Sequence, residues 1–111
     1  MGYSNDVVDM IDVQQTEVFS KWLSTLRDRT AKARILVRID RLRLGLAGDT
    51  KSVGDSVSEL RIDHGPGYRV YYSWRGRELV LLLAGGDKRT QKRDILKARF
   101  LLENLETGEM R

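Results

Sequence analysis

The 111-residue chain has no cysteine, one histidine and one proline. Without cysteine, disulfides and thiolate metal sites are excluded. A single imidazole cannot build a multi-histidine metal centre, and no carboxylate cluster stands in for one, so no metal and no other cofactor is expected. Long apolar runs are missing too. Nothing approaches the roughly 20 consecutive apolar residues of a membrane-spanning helix. No leader of signal-peptide type is read, so a cytoplasmic location without a membrane partner is expected. Repeats, low-complexity segments and linkers are also absent, and the length matches one domain spanning residues 1–111.

What is present is a soluble, foldable composition, 41% hydrophobic and 32% charged. The net charge of +4 is modest, but it is unevenly spread. Residues 1–20 carry Asp6, Asp9, Asp12 and Glu17 and no basic residue. Residues 27–43 carry seven basic and two acidic residues, and residues 87–99 carry six and two. Clustered positive charge suits a polyanion or an acidic protein, and equally a solvated helix face.

Periodicity predicts an α+β fold in the order β-α-α-β-β-β-α. "VVDMIDV" at residues 7–13 reads as an edge strand, its aspartates discouraging further pairing. Thr16 is placed to cap a helix whose apolar positions are Val18, Phe19, Trp22, Leu23 and Leu26. Thr30 is placed to cap a second helix with Ile35, Leu36, Ile39, Leu42 and Leu46 inward, ending near Gly45 and Gly48. The two form a helical hairpin. "DTKSVGDS" at residues 49–56 reads as a polar loop. Strands follow at residues 57–63, 68–74 and 78–84, the last almost wholly apolar and therefore central. "RGR" at residues 75–77 is a hairpin turn and "GGDK" at residues 85–88 a loop. Thr90 then caps a final helix with Ile95, Ala98, Leu101, Leu102 and Leu105 inward and Lys92 and Arg93 on its surface.

The stretch "ELRIDHGPGYRVYYS" at residues 59–73 places arginines inside strands. Side chains alternate faces along a strand. With Leu60, Ile62, Val70, Tyr72 and Trp74 toward the core, Arg61, Arg69 and Tyr71 share the opposite face. That face is either a working surface or a solvated one with Glu59 and Asp63 pairing the arginines.

Two motifs, Gly67-Tyr68-Arg69 and Gly85-Gly86-Asp87-Lys88-Arg89, occur in this order with a last helix behind them. Together they resemble the phage-derived addiction-module killer proteins of the RelE/ParE/HigB superfamily, toxins of type II toxin–antitoxin systems. The resemblance covers roughly residues 8–105. It implies a RelE-like fold: a small antiparallel sheet, the helical hairpin on one side and a concave sheet face on the other. It implies a ribosome-dependent endoribonuclease that cuts mRNA, inhibits translation and is held inactive by a cognate antitoxin of helix-turn-helix type. ParE-like members share the fold but poison DNA gyrase, and a non-catalytic antitoxin-binding relative is a further alternative, so fold alone leaves function open.

The residues fit metal-independent RNA cleavage, in which the 2′-hydroxyl attacks the adjacent phosphate and negative charge builds on it. Arginine is always charged and forked for phosphate oxygens. The resemblance assigns the phosphate-stabilising role to Arg69 and a second such role to Arg89, with Lys88 beside it and Arg61 third. Tyr71 would point with Arg69, and His64 has the only side chain titrating near neutrality without a shift. The tyrosine of RelE-like enzymes has Ile95 near its place, and the terminal histidines of HigB-like enzymes have no equivalent, so the general acid and base are unassigned. Tyr68 is a candidate for stacking a base. Arg34, Arg38 and Arg41, at helical spacing, are candidates for RNA phosphates, as are Lys92 and Arg93.

Overall fold

Thr16 ends one strand and caps one helix. Its Oγ1 accepts from the Phe19 amide at 3.0 Å and donates to the Leu83 carbonyl at 2.7 Å, which satisfies an orphan helix donor and ties the helix to the sheet. In the computed structural model, which describes residues 10–106, this junction joins strand β1 (Asp12–Gln15) to helix α1 (Glu17–Thr25). Helix α2 (Arg29–Arg43) follows, then strands β2 (Thr50–Gly54), β3 (Val57–Ile62), β4 (Tyr68–Arg75) and β5 (Leu79–Asp87). A 3₁₀ turn (Lys88–Thr90) leads into helix α3 (Gln91–Glu106).

The strands form one sheet in the order β1-β5-β4-β3-β2. β1 runs parallel to β5 and every other pairing is antiparallel. The α+β expectation holds, with a mixed sheet and one strand more than the sequence pattern predicted. β1 is an edge strand as expected but spans Asp12–Gln15; residues 7–9 of the predicted strand lie outside the described residues. β5 is central and covered on both faces, as its apolar run required.

The extra strand is β2, inside the segment read as a loop. It pairs with β3 through a two-residue turn in which Asp55 (φ 54°) and Ser56 (φ 66°) both adopt left-handed backbone, the geometry of a type I′ hairpin. Its polar residues are what an exposed edge strand carries. "GGDK" is likewise not a loop, because Gly85 and Gly86 continue β5 opposite Val70 and Arg69. A Cβ at Gly85 would collide with the Trp22 ring, and one at Gly86 with the Asp94 carboxylate. These glycines let both helical layers close onto the strand.

Helix ends depart from the pattern at α2. Asp28, not Thr30, is its N-cap, accepting from the Ala31 amide at 3.1 Å, where a carboxylate also meets the positive helix end. At the other end, Gly45 N bonds Leu42 O and Leu46 N bonds Arg41 O, both at 2.9 Å, which is a Schellman motif. Leu46 therefore leaves the helix and is exposed, as is Leu36, while Ala31, Ile35, Ile39 and Leu42 form the buried stripe.

One core packs α1 and α2 on the first face of the sheet, with Phe19, Ile35, Ile39 and Leu42 against Leu60, Ile62, Val70, Tyr72, Val80 and Leu82. A second core packs α3 on the opposite face, with Ala98, Leu101 and Leu102 against Val57, Tyr71, Leu83 and Ala84. A bulge allows this. Tyr71 pairs with Ala84 and Tyr72 with Leu82, so Leu83 is an inserted residue and both Leu83 and Ala84 face α3. The face expected to be open is thus half covered. Trp74, expected inward, is exposed.

Candidate nucleic-acid interface

β3 and β4 pair so that Arg61 lies directly opposite Arg69 and Glu59 opposite Tyr71. The expected alternation is therefore observed: Arg61, Arg69 and Tyr71 share one face. Two like charges directly across a ladder repel, and the side chains part. Arg61 turns to Asp49, with Nη2 at 2.9 Å and Nε at 3.2 Å from Oδ1. Arg69 stays low, its side chain only 12% exposed and its Nε 3.8 Å from the fully buried Glu59 carboxylate.

The β3–β4 turn shapes what lies above. Gly67 N bonds His64 O at 3.0 Å, and Gly67 adopts φ +81°. Its carbonyl accepts from Arg69 Nη1 at 3.1 Å. A Cβ here would sit 3.2 Å from that nitrogen, so glycine lets the turn fold down onto the guanidinium. The result is a cleft of about 380 Å³ lined by Arg61, Arg69 and Lys88, by Asp49 and Asp63, and by the turn residues Gly65, Pro66 and Gly67.

Lys88 reaches this cleft because β5 ends in a tight 3₁₀ turn. Asp87 caps the turn, accepting from the Arg89 amide at 2.8 Å. The same carboxylate holds the Arg89 guanidinium, Nη2 to Oδ2 at 3.0 Å. That hydrogen bond pulls the Asp87 carboxyl below its ordinary range and raises Arg89. Arg89 is folded back over Asp87, 79% exposed and outside the cleft lining. The adjacent Lys-Arg pair is split, with the lysine going to the cleft.

The remaining predicted residues scatter. Tyr71 is on the right face but fully buried under α3, donating to Glu59 Oε2 at 3.0 Å. Burial, then the neighbouring carboxylate, pushes its phenol well above the ordinary range, so it is a fixed hydrogen-bond donor rather than a proton acceptor. His64 does not reach over the cationic face. Its Nε2 meets Asp28 Oδ2 at 3.1 Å, at the start of α2. The Asp28 carboxyl lies below its ordinary range, first through the Ala31 amide and then through His64. Tyr68 packs on the other face, edge-on to Trp22 with centroids 6.4 Å apart.

Arg38 is tied to the backbone. It donates to the carbonyls of Arg61, Ala47 and Asp49 at 2.6, 3.0 and 3.2 Å, holding the approach to β2 against α2. Arg34 and Arg41 are exposed and line a groove of about 460 Å³ beside Val37. This groove shares Ile62 and Asp63 with the cleft, so the two adjoin. Lys92 and Arg93 are exposed on α3, and Arg93 borders a different groove with Lys21 and Lys97. Among the described residues no group of three or more histidine, aspartate or glutamate side chains could hold a metal ion, and no helix is long and apolar enough to cross a membrane.

Fold and cleft together define a small α+β protein presenting clustered cations at the end of one sheet face. The chain belongs to the phage derived protein Gp49-like (DUF891) family, whose model matches residues 21–103 and so takes in the whole cleft. It is also 50% identical over 95 residues to an uncharacterized protein of Haemophilus influenzae, an alignment covering 86% of this chain and 96% of that protein.

Proposed function

We propose that this protein is the toxin of a type II toxin–antitoxin system, a metal-independent endoribonuclease that cuts mRNA on the ribosome. The observation that supports it is the convergence of Arg61, Arg69 and Lys88 on one cleft, three cations from three separate strands and turns. A phosphodiester seated there gains charge as the 2′-hydroxyl attacks, and fixed guanidinium and ammonium donors stabilise that charge. Loss of one such donor lowers rates by about 10²–10³-fold. Of the two lining carboxylates, Asp49 is held by Arg61, and Asp63 has no ion-pair partner among the described residues. Asp63 is the candidate proton acceptor and Lys88 the candidate donor. The ribosome supplies what the cleft lacks, because holding message and nucleophile in line removes several kcal/mol of the barrier. The adjoining Arg34 and Arg41 groove carries neighbouring phosphates, and an antitoxin of helix-turn-helix type encoded beside the toxin blocks the surface.

One arrangement favours a second reading, a gyrase inhibitor that binds without cutting. His64 is engaged by Asp28, and no imidazole lines the cleft. Inducing the protein and mapping message 5′ ends separates the two. The nuclease reading expects new codon-phased ends that Lys88→Ala suppresses; arrested growth with intact messages and altered supercoiling would replace it with the second.

A further inference from the structure

Beneath Arg69 lies a carboxylate that takes no direct part in the cleft. Glu59 is fully buried. Its Oε2 accepts from the Tyr71 hydroxyl at 3.0 Å and from Gln91 Nε2 at 2.6 Å, at the start of α3. An isolated buried carboxylate is strongly unfavourable, and two donors plus a cation make this one tolerable. Yet the ion pair is not closed. Arg69 Nε stands 3.8 Å from Oε2, and neither Nε nor Glu59 Oε1 has a hydrogen-bond partner. A pair shaped for stability alone would close to about 2.8 Å, with two parallel bonds. Instead Arg69 is held from two sides, by Glu59 at Nε and by the Gly67 carbonyl at Nη1. Nη2 has no protein acceptor among the described residues, and the side chain lines the cleft.

We infer that Glu59 is a positioning residue: clamped by Tyr71 and Gln91, it fixes the Arg69 guanidinium with its terminal nitrogen Nη2 available to a phosphate group in the cleft. The inference rests on reading the cleft as a phosphate site, but not on RNA being cut there. Tyr71 fits the arrangement, since a phenol kept neutral by burial can only donate to the carboxylate. α3 enters through Gln91, so the helix that covers half the sheet face also sets the geometry of the open half.

Charge and position make opposite forecasts. Glu59→Gln keeps size and an acceptor for Tyr71 but removes a negative charge beside Arg69. If Glu59 is only a counter-charge, inorganic phosphate binds more tightly to the variant. If it positions Arg69, phosphate binds more weakly, by about tenfold or more, the scale of a lost hydrogen bond to a charged group. The test is a phosphate titration followed on the arginine Nε–Hε NMR signals, with Arg69 assigned from Arg69→Lys. The expected result is an Arg69 signal that shifts with phosphate in the native protein, and in Glu59→Gln an altered starting position and a weakened titration. Gln91→Ala, at a half-buried site, gives a smaller loss in the same direction and serves if Glu59→Gln does not fold. Equal or tighter phosphate binding in the variants, or no phosphate-dependent shift of Arg69 in the native protein, overturns the inference. Weakened phosphate binding in a protein that cuts no RNA would leave it standing and remove the nuclease reading alone.

Discussion

Removing Arg69 should unfold the cleft's foundation as well as its function, and the size follows from the geometry. The charges of Arg69 and Glu59 stand 3.8 Å apart, worth about 4 kcal/mol at an effective dielectric of about 20. Stripping one partner from a buried pair ordinarily costs about 3–5 kcal/mol. Here Tyr71 and Gln91 continue to donate to Glu59 Oε2, so Arg69→Ala should cost about 2–3 kcal/mol. For a domain of this length that is a fall in melting temperature of roughly 8–15 °C. The assay is urea unfolding read by tryptophan fluorescence, with the denaturant slope unchanged. The decisive comparison is the double variant Arg69→Ala with Glu59→Gln. Neutralising the stranded carboxylate should restore about 1 kcal/mol or more, making the double variant more stable than Arg69→Ala alone. If Arg69→Ala costs under about 0.5 kcal/mol, or the two effects simply add, the coupled buried pair is not what supports the cleft.

Further outcomes follow from the same geometry. Lys88→Ala should lower RNA cleavage by about 10²-fold or more while Arg89→Ala lowers it only a few-fold, both with stability changed by less than about 0.5 kcal/mol; comparable losses would return Arg89 to the site. Gly86→Ala should destabilise by about 2 kcal/mol or more, since its methyl group would meet Asp94 in a packed interior, and a neutral effect by thermal melting would contradict that packing. Arg38→Ala should lower stability by about 1.5–3 kcal/mol through the carbonyls it deserts, whereas Arg34→Ala and Arg41→Ala should leave melting unchanged and each reduce the salt slope of RNA binding by about one unit. The lowered Asp28 carboxyl gives a pH signature. A depressed folded pKa adds stability that is present above the unfolded value of 3.8 and is lost as pH falls through the folded one. The native advantage over Asp28→Asn should therefore shrink as unfolding is measured from pH 6 down toward pH 2.5, and a constant difference would contradict the pairing with His64 and Ala31.

Strong local signals were readable in the chain. The buried stripe of α3, the Ile35, Ile39 and Leu42 part of the α2 stripe, the Thr16 cap and the central place of β5 all follow from periodicity and polarity. So did the shared face of Arg61, Arg69 and Tyr71, because strand alternation is a local rule. Missing from that reading were features decided by tertiary context. β2 is too polar to announce itself, and its turn uses Asp55 and Ser56 rather than asparagine and glycine. Gly85 and Gly86 look like a loop until Trp22 and Asp94 are seen pressing on them. Lys88 and Arg89 are neighbours in sequence, and only the cap formed by Asp87 sends them apart. Glu59 had the least signal of all. It alternates outward in β3 like any solvated glutamate, and its burial depends on α3 crossing the far end of the sheet. The bulge at Leu83 and the Gln91 contact establish that crossing, and no short pattern encodes either.

The most direct measurement of the central claim is the chemistry of the cut. Purified protein is added to ribosomes translating a defined message, and fragment ends are analysed with native protein, Lys88→Ala and a message carrying a 2′-deoxy nucleotide at the cleavage site. The expected result is a 2′,3′-cyclic phosphate and a 5′-hydroxyl, lost with the 2′-deoxy message and strongly reduced by Lys88→Ala. Intact message in the presence of folded native protein, or cutting indifferent to the 2′-hydroxyl and to Lys88, would contradict RNA cleavage by a cleft built from Arg61, Arg69 and Lys88.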